Sequence, residues 1–150
     1  MRVLVQRVAS ARVEISGSVN GVIGQGLLVL AGFEEADGEA DLRWVAAKLA
    51  KLRIFADTEG VMNRSVLDVG GRVLAVSQFT LFASVKKGNR PSWGKAAPPP
   101  ISQPLFVRFV SLLEQELGQT VATGVFGADM QVHLENDGPV TVFIDSKCPE

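Results

Sequence analysis

Cysteine and histidine each occur once in this chain, as Cys148 and His133. A single cysteine leaves no intramolecular disulfide and fits a reducing compartment. With one histidine beside it there is no ligand set for a zinc centre of the usual kind, no spacing motif marks a carboxylate-only metal site, and no cofactor is expected. No run approaches the roughly 20 apolar residues that a membrane helix needs. Residues 1–7 lack the apolar core and small-residue cleavage site of a signal peptide, so the expected location is cytoplasmic. No G-x-S-x-G elbow, Walker phosphate loop or G-x-G-x-x-G turn follows a strand-like run. A Ser–His–Asp triad would have to use His133. By strand parity His133 shares a face with Gln131, opposite Val132 and Leu134, and an exposed strand histidine is the more economical expectation.

Acidic residues are missing from the whole middle of the chain. None falls between Asp68 and Glu114, where Arg72, Lys86, Lys87, Arg90, Lys95 and Arg108 lie. The net charge of −1 argues nothing for nucleic acid, but four of these cations crowd into residues 86–95 with Gly88, Pro91 and Gly94. A basic loop on a near-neutral body is a candidate contact for a phosphate backbone, with Lys86, Lys87 and Arg90 as its tentative RNA-contact residues. The alternative is a solvated loop that merely lacks acids.

What the chain does have is a core. Its 150 residues are 47% hydrophobic, enough for one domain with a buried interior. Residues 1–15 alternate, with Met1, Val3, Val5, Arg7, Ala9, Ala11, Val13 and Ile15 on one parity, which predicts a long strand or two joined near Ser10. Arg7 is the odd member of that row and calls for carbonyl or carboxylate partners, unless the strand twists it into solvent. The continuous apolar run 26–33 predicts a strand covered on both faces. Leu42, Val45, Leu49 and Leu52 recur at helical spacing, with Asp37 or Asp41 at the helix start. Residues 53–56 and 72–82 read as strands, the second ending in polar side chains among aromatics, as at the mouth of a site. Residues 96–100 read as an extended linker. A second helix follows, with Ser102 as cap, Pro104 in its first turn, a stripe of Leu105, Phe109, Leu112, Leu113 and Leu117, and Gly118 at its end. Residues 120–126, 130–134 and 140–144 complete the strands. The expected fold is α+β: a curved, largely antiparallel, barrel-like sheet with two main packed helices in a single domain, residues 1–150.

Two segments carry candidate chemistry. Asn136-Asp137-Gly138-Pro139 separates two strand-like runs and fits a hairpin turn; a cis Gly138–Pro139 bond is the sharper alternative. Ser77 and Thr80 flank Gln78-Phe79 at a strand end, where free main-chain N–H groups can bind an oxyanion. Thr80 as nucleophile lacks an identifiable base.

Taken together, Ser77-Gln78-Phe79-Thr80-Leu81, Arg90-Pro91-Ser92, Phe126-Gly127-Ala128-Asp129-Met130 and Asn136-Asp137-Gly138-Pro139-Val140-Thr141 stand in an order and spacing that closely resemble the bacterial and eukaryotic type of D-aminoacyl-tRNA deacylases. Val5-Gln6-Arg7-Val8 and Leu52-Arg53-Ile54-Phe55 agree, so the resemblance runs from Met1 to about Ser146. Trp93 departs from it, standing where phenylalanine is more usual, and residues 147–150 have no counterpart in it.

The resemblance implies a homodimer with its sites at the subunit interface. There, a cis Gly138–Pro139 pair would enter the partner's pocket and exclude L-aminoacyl esters. D-aminoacyl-tRNA and glycyl-tRNA, including glycine mischarged on tRNA(Ala), would be hydrolysed. It further implies that Arg7 holds the Gly-Pro loop, that Ser77, Gln78, Phe79 and Thr80 line the ester site, and that Phe126, Ala128 and Met130 surround the terminal adenosine. Water activated by the tRNA 2′-hydroxyl and attack by Thr80 are the two mechanisms it leaves open. An inert RNA-binding domain and an esterase for small D-aminoacyl esters are the other function classes.

Overall fold

The computed structural model describes residues 1–150, as β1 (Arg2–Ile15), β2 (Ser18–Ile23), β3 (Gly26–Gly32), α1 (Glu39–Lys51), β4 (Phe55–Ala56), β5 (Met62–Arg64), β6 (Arg72–Ser77), α2 (Pro99–Leu117), β7 (Ala122–Thr123) and β8 (Gln131–Asp145). The long alternating segment is one strand. Its first half pairs antiparallel with β3 and its second half with β2, while β8 runs antiparallel along its other edge. Beyond β3 the joins change direction: β3 pairs parallel with β6, and β6 parallel with β7. The sheet is therefore mixed, largely antiparallel as expected, with a parallel sector that the sequence did not announce.

The ends of this sheet curl towards each other. The Asn20 side-chain amide donates to the Thr123 carbonyl at 2.9 Å, and a Cβ on Gly21 would stand 2.7 Å from the same oxygen. That close approach of β2 to β7 nearly closes a barrel. Val8, Ala11, Val13, Ile23, Leu28, Leu74 and Val76 fill its interior. The opposite face of the sheet packs on both helices through Val3, Val5, Val29 and Ala75, with Leu49 of α1 and Phe109 and Leu113 of α2 in the same buried layer. No helix is long and apolar enough to cross a membrane.

The helix stripes were legible. Leu42, Val45 and Leu49 are buried, and Leu52 is the residue that ends α1. Gly38 is the capping residue of α1, with Asp37 and Asp41 flanking it as expected, and the Asp41 carboxylate accepts from the Gly38 N–H at 3.0 Å. Asp37 is buried against the Met1 amine. In α2 the expected linker is partly helix: Pro99 and Pro100 form its first turn, where a missing N–H costs nothing because those groups have no intrahelical acceptor. Ser102 is therefore inside the helix, donating to the Pro98 carbonyl at 3.1 Å, and Pro104 lies beyond the first turn. Gly118 ends α2 at φ +65, the left-handed conformation that favours glycine.

A second correction concerns the C-terminal strands. Residues 131–145 form one strand, not a hairpin, and both halves pair with β1: Val8 opposes Asn136 and Gln6 opposes Thr141. Arg7 alone thus faces four residues, Asp137, Gly138, Pro139 and Val140, which leave the ladder as an excursion. β8 pairs with β1 only, so its outer edge is open.

Candidate active site

A cavity of about 580 Å³ opens at the C-terminal ends of the parallel strands β3 and β6. Ala31 and Gly32 of β3 and Val76 and Ser77 of β6 form its floor. The backbone here is crowded. Gln78 N–H bonds to the Ala31 carbonyl at 2.7 Å, and a Cβ on Gly32 would meet the Gln78 carbonyl oxygen at 2.7 Å, so only glycine fits.

The expected strand 72–82 stops at Ser77, and residues 79–82 turn as one short 3-10 helix. β-Propensity in Phe79, Thr80, Leu81 and Phe82 hid this turn. Its consequence is chemical: the opening N–H groups of a helical turn have no acceptor within it. The turn's own bonding starts at Leu81, whose N–H reaches the Gln78 carbonyl at 3.4 Å. Phe79 and Thr80 supply the N–H groups at the turn's start. The Gln78 side-chain amide donates to the Thr80 hydroxyl oxygen. Thr80 itself is outside the cavity lining, and the lining's only ionisable side chain is Asp129.

The far wall comes from the turn between β7 and β8. Phe126, Ala128 and Met130 all line the cavity, with Phe126 backed by Phe106 at 6.3 Å between ring centroids. Six of the sequence-derived residues therefore meet in one place: Ser77, Gln78, Phe79, Phe126, Ala128 and Met130. Trp93, Phe33 and Pro98 also line it, and no sequence motif marked them as site residues. Trp93 packs edge-on against Phe79, ring centroids 5.2 Å apart, and its neighbourhood to Arg90-Pro91-Ser92 was the one signal available.

Lys86, Lys87 and Arg90 are exposed on a loop whose base is pinched shut. Ser84 and Ser92 exchange two backbone hydrogen bonds, 2.8 and 2.9 Å, which fixes the loop beside the cavity rim.

Arg7, Gly138 and Pro139 lie elsewhere; none of them lines the cavity of its own chain. The Gly138–Pro139 peptide is cis, and both residues are exposed. The excursion is held by two side chains. Arg7 Nε donates to the Asp137 carbonyl at 2.8 Å and its Nη1 to the Ile54 carbonyl at 2.5 Å. Asn136 closes the base, accepting from Val140 N–H at 2.8 Å and donating to the Val140 carbonyl at 3.1 Å. A Cβ on Gly138 would stand 2.5 Å from the Val140 nitrogen, so this position also requires glycine.

A family model described as D-Tyr-tRNA(Tyr) deacylase matches residues 4–145. The D-aminoacyl-tRNA deacylase of Dechloromonas aromatica is 69% identical over 150 residues, covering 100% of both chains. The chain belongs to the D-aminoacyl-tRNA deacylase family. The deacylase of Chromobacterium violaceum is 61% identical, again over 100% of both chains, so the deacylase match includes residues 147–150. Those residues have a structural place too: Lys147 bonds to the Asp41 carboxylate at 2.8 Å. Among solved structures, one named c-Myc DNA Unwinding Element Binding Protein superposes with a TM-score of 0.90 at 37% identity, covering 97% of this chain and 98% of that one. A probable eukaryotic D-amino acid tRNA deacylase gives 0.81 at 19% identity, covering 95% and 97%, which supports the same fold.

Proposed function

We propose that this chain hydrolyses the ester between a D-amino acid and the terminal ribose of tRNA in the cytoplasm, as a homodimer in which the Gly138–Pro139 pair of each chain closes the cavity of the other. Glycyl-tRNA, glycine mischarged on tRNA(Ala) included, would pass the same filter. Water attacks the ester carbonyl, the bond to the ribose oxygen breaks, and free amino acid and tRNA leave. The Phe79 N–H, on the cavity lining, is suited to bind the developing oxyanion, with the Thr80 N–H next to it at the start of the turn. No histidine lies on the lining, and Asp129, its only ionisable side chain, is exposed; as the family resemblance implies, the ribose 2′-hydroxyl is the group proposed to assist the water. A nucleophilic Thr80 would need a base to take its proton, and no histidine or lysine lines the cavity. Phe126, Ala128 and Met130 would hold the adenosine, and Lys86, Lys87 and Arg90 the acceptor-stem phosphates.

The observation that carries the dimer is the separation of the two signature segments. The exposed cis Gly138–Pro139 pair contributes nothing to its own chain's cavity, yet Arg7 and Asn136 hold it in one conformation. A partner surface is available: β8 has an open edge, and Leu134 and Phe143 on it are 41% and 52% exposed. Main-chain carbonyls standing where an L side chain would go reject L esters whatever that side chain is.

The test is release of amino acid from matched D- and L-aminoacyl-tRNA. Rapid cleavage of the D ester alone is expected, and cleavage of neither would favour a nucleic-acid-binding module, the class that the 37%-identical structure is named for. Thr80→Ala separates the mechanisms. Activity within about threefold of the parent is expected from oxyanion binding by main chain, whereas loss of a covalent nucleophile typically costs several powers of ten.

A further inference from the structure

Trp93 is a large aromatic side chain left 39% exposed on the cavity rim. Its contact with Phe79 is edge-to-face, with an interplanar angle of 75°, and such a contact occupies at most one face of the indole. It directly follows Ser92, whose backbone bonds to Ser84 pinch off the basic loop. Lys86, Lys87 and Arg90 on that loop are exposed, and none of the chain's nine ion pairs involves them. An aromatic ring between an apolar cavity and a run of unpaired cations is the construction used to bind single-stranded nucleic acid, with bases on rings and phosphates on cations. The cavity, at about 580 Å³, has the volume of a site for one small ligand. If the terminal adenosine and its amino acid fill it, the next nucleotide must cross the rim.

We propose that Trp93 is the stacking platform for the base that precedes the terminal adenosine, and hence a positioning residue of this site. It rests on the deacylase reading for the identity of the RNA. The cytosine at that position is present in every mature tRNA, so the contact gives affinity for the 3′ end without discriminating among tRNAs. It also directs the strand from the cavity towards the basic loop. The indole offers a larger stacking surface than a phenylalanine ring would, and phenylalanine still presents a ring.

The experiment compares D-aminoacyl-tRNA with the D-aminoacyl ester of adenosine alone, which lacks the preceding nucleotide. In the Trp93→Ala chain the ratio of kcat/KM for the tRNA ester to that for the adenosine ester is expected to fall about tenfold or more, through KM. Trp93→Phe keeps that ratio within about threefold. An unchanged ratio in Trp93→Ala overturns the proposal, whether both substrates suffer equally or neither does. A second measurement needs no catalysis. Trp44 lies on α1, outside the cavity lining, so Trp44→Phe leaves Trp93 as the only tryptophan. Its emission is expected to be quenched by cytidylyl-adenosine at concentrations about tenfold lower than by 5′-AMP. Equal concentrations overturn the stacking proposal. The expected quench in a chain that hydrolyses neither ester supports stacking while contradicting the deacylase reading.

Discussion

The 3-10 turn that opens at Phe79 and the excursion at residues 137–140 both begin where a strand leaves its ladder, but they are held in different ways. The first continues from β6, a strand whose residues 73–76 are all buried, and it is locked by main-chain contact with Ala31 and Gly32. The second leaves an edge strand, is exposed along its length up to Val140, and depends on the side chains of Arg7 and Asn136. A cavity built on buried main chain suits chemistry that needs fixed N–H groups. An exposed feature held rigid by polar side chains suits a part that must dock into something else.

Substitutions can break either half. Gly32→Ala is expected to have the largest effect, because its Cβ would be forced to 2.7 Å from a backbone oxygen with no flexible side chain to yield. A loss of about 1–3 kcal/mol in stability is expected from overpacking, together with loss of D-ester hydrolysis, measured by urea unfolding and amino acid release. Arg7→Ala should have the smaller effect on hydrolysis, at a similar cost in stability of about 2 kcal/mol for charge-assisted bonds to two carbonyls. Its signature lies in selectivity, since a loosened excursion admits L esters while D-ester cleavage persists; an unchanged D/L ratio would detach Arg7 from the filter.

The smallest effect is expected away from both regions, at the latch between α1 and the chain's end. Burial alone would raise the Asp41 carboxyl. The Lys147 ammonium, the Gly38 N–H and the Ser146 hydroxyl outweigh it and hold its pKa at about 2. Because the folded value lies below that of an unfolded aspartate, about 3.9, the stabilisation is present above about pH 4 and is lost as pH falls towards 2. Unfolding midpoints should therefore converge for the parent and Asp41→Asn over that interval, with the D/L ratio the same in both at neutral pH. A gap that stays constant down to pH 2 would remove Asp41 from the latch.

Much of this was legible in the sequence because it followed local rules. The buried stripes of α1 and α2, the glycine that ends α2 and the length of β1 follow from periodicity and backbone preference. The single parity expected along β1 does not hold: Val3 and Val5 face the helices while Val8, Ala11 and Val13 face the barrel interior, because the register shifts on either side of Val8. Ser77, Gln78, Phe79, Phe126, Ala128 and Met130 were found through motifs, and they converge on one cavity. The parallel join of β3 to β6 was not legible, since it pairs residues more than forty apart and leaves no local pattern. Nor was the continuity of β8, because Gly-Pro ordinarily ends a strand. Here the Asn136 side chain supplies the bonds that carry the strand past it. Trp93 could not be read as a site residue because its place on the rim depends on the Ser84–Ser92 pinch, a tertiary contact in which Ser84 carries no motif and the motif residue Ser92 gives no sign of its partner.

The central claim, that one chain's filter serves the other's cavity, is tested most directly with mixed dimers. One chain carries Ala128→Trp, which fills the cavity but leaves Gly138–Pro139 intact. The other carries Pro139→Ala, which leaves the cavity open and is expected to cleave D and L esters alike. With the first chain in excess, the account predicts that L-ester cleavage disappears while D-ester cleavage remains. A mixture that keeps the D/L ratio of the Pro139→Ala chain alone would contradict it.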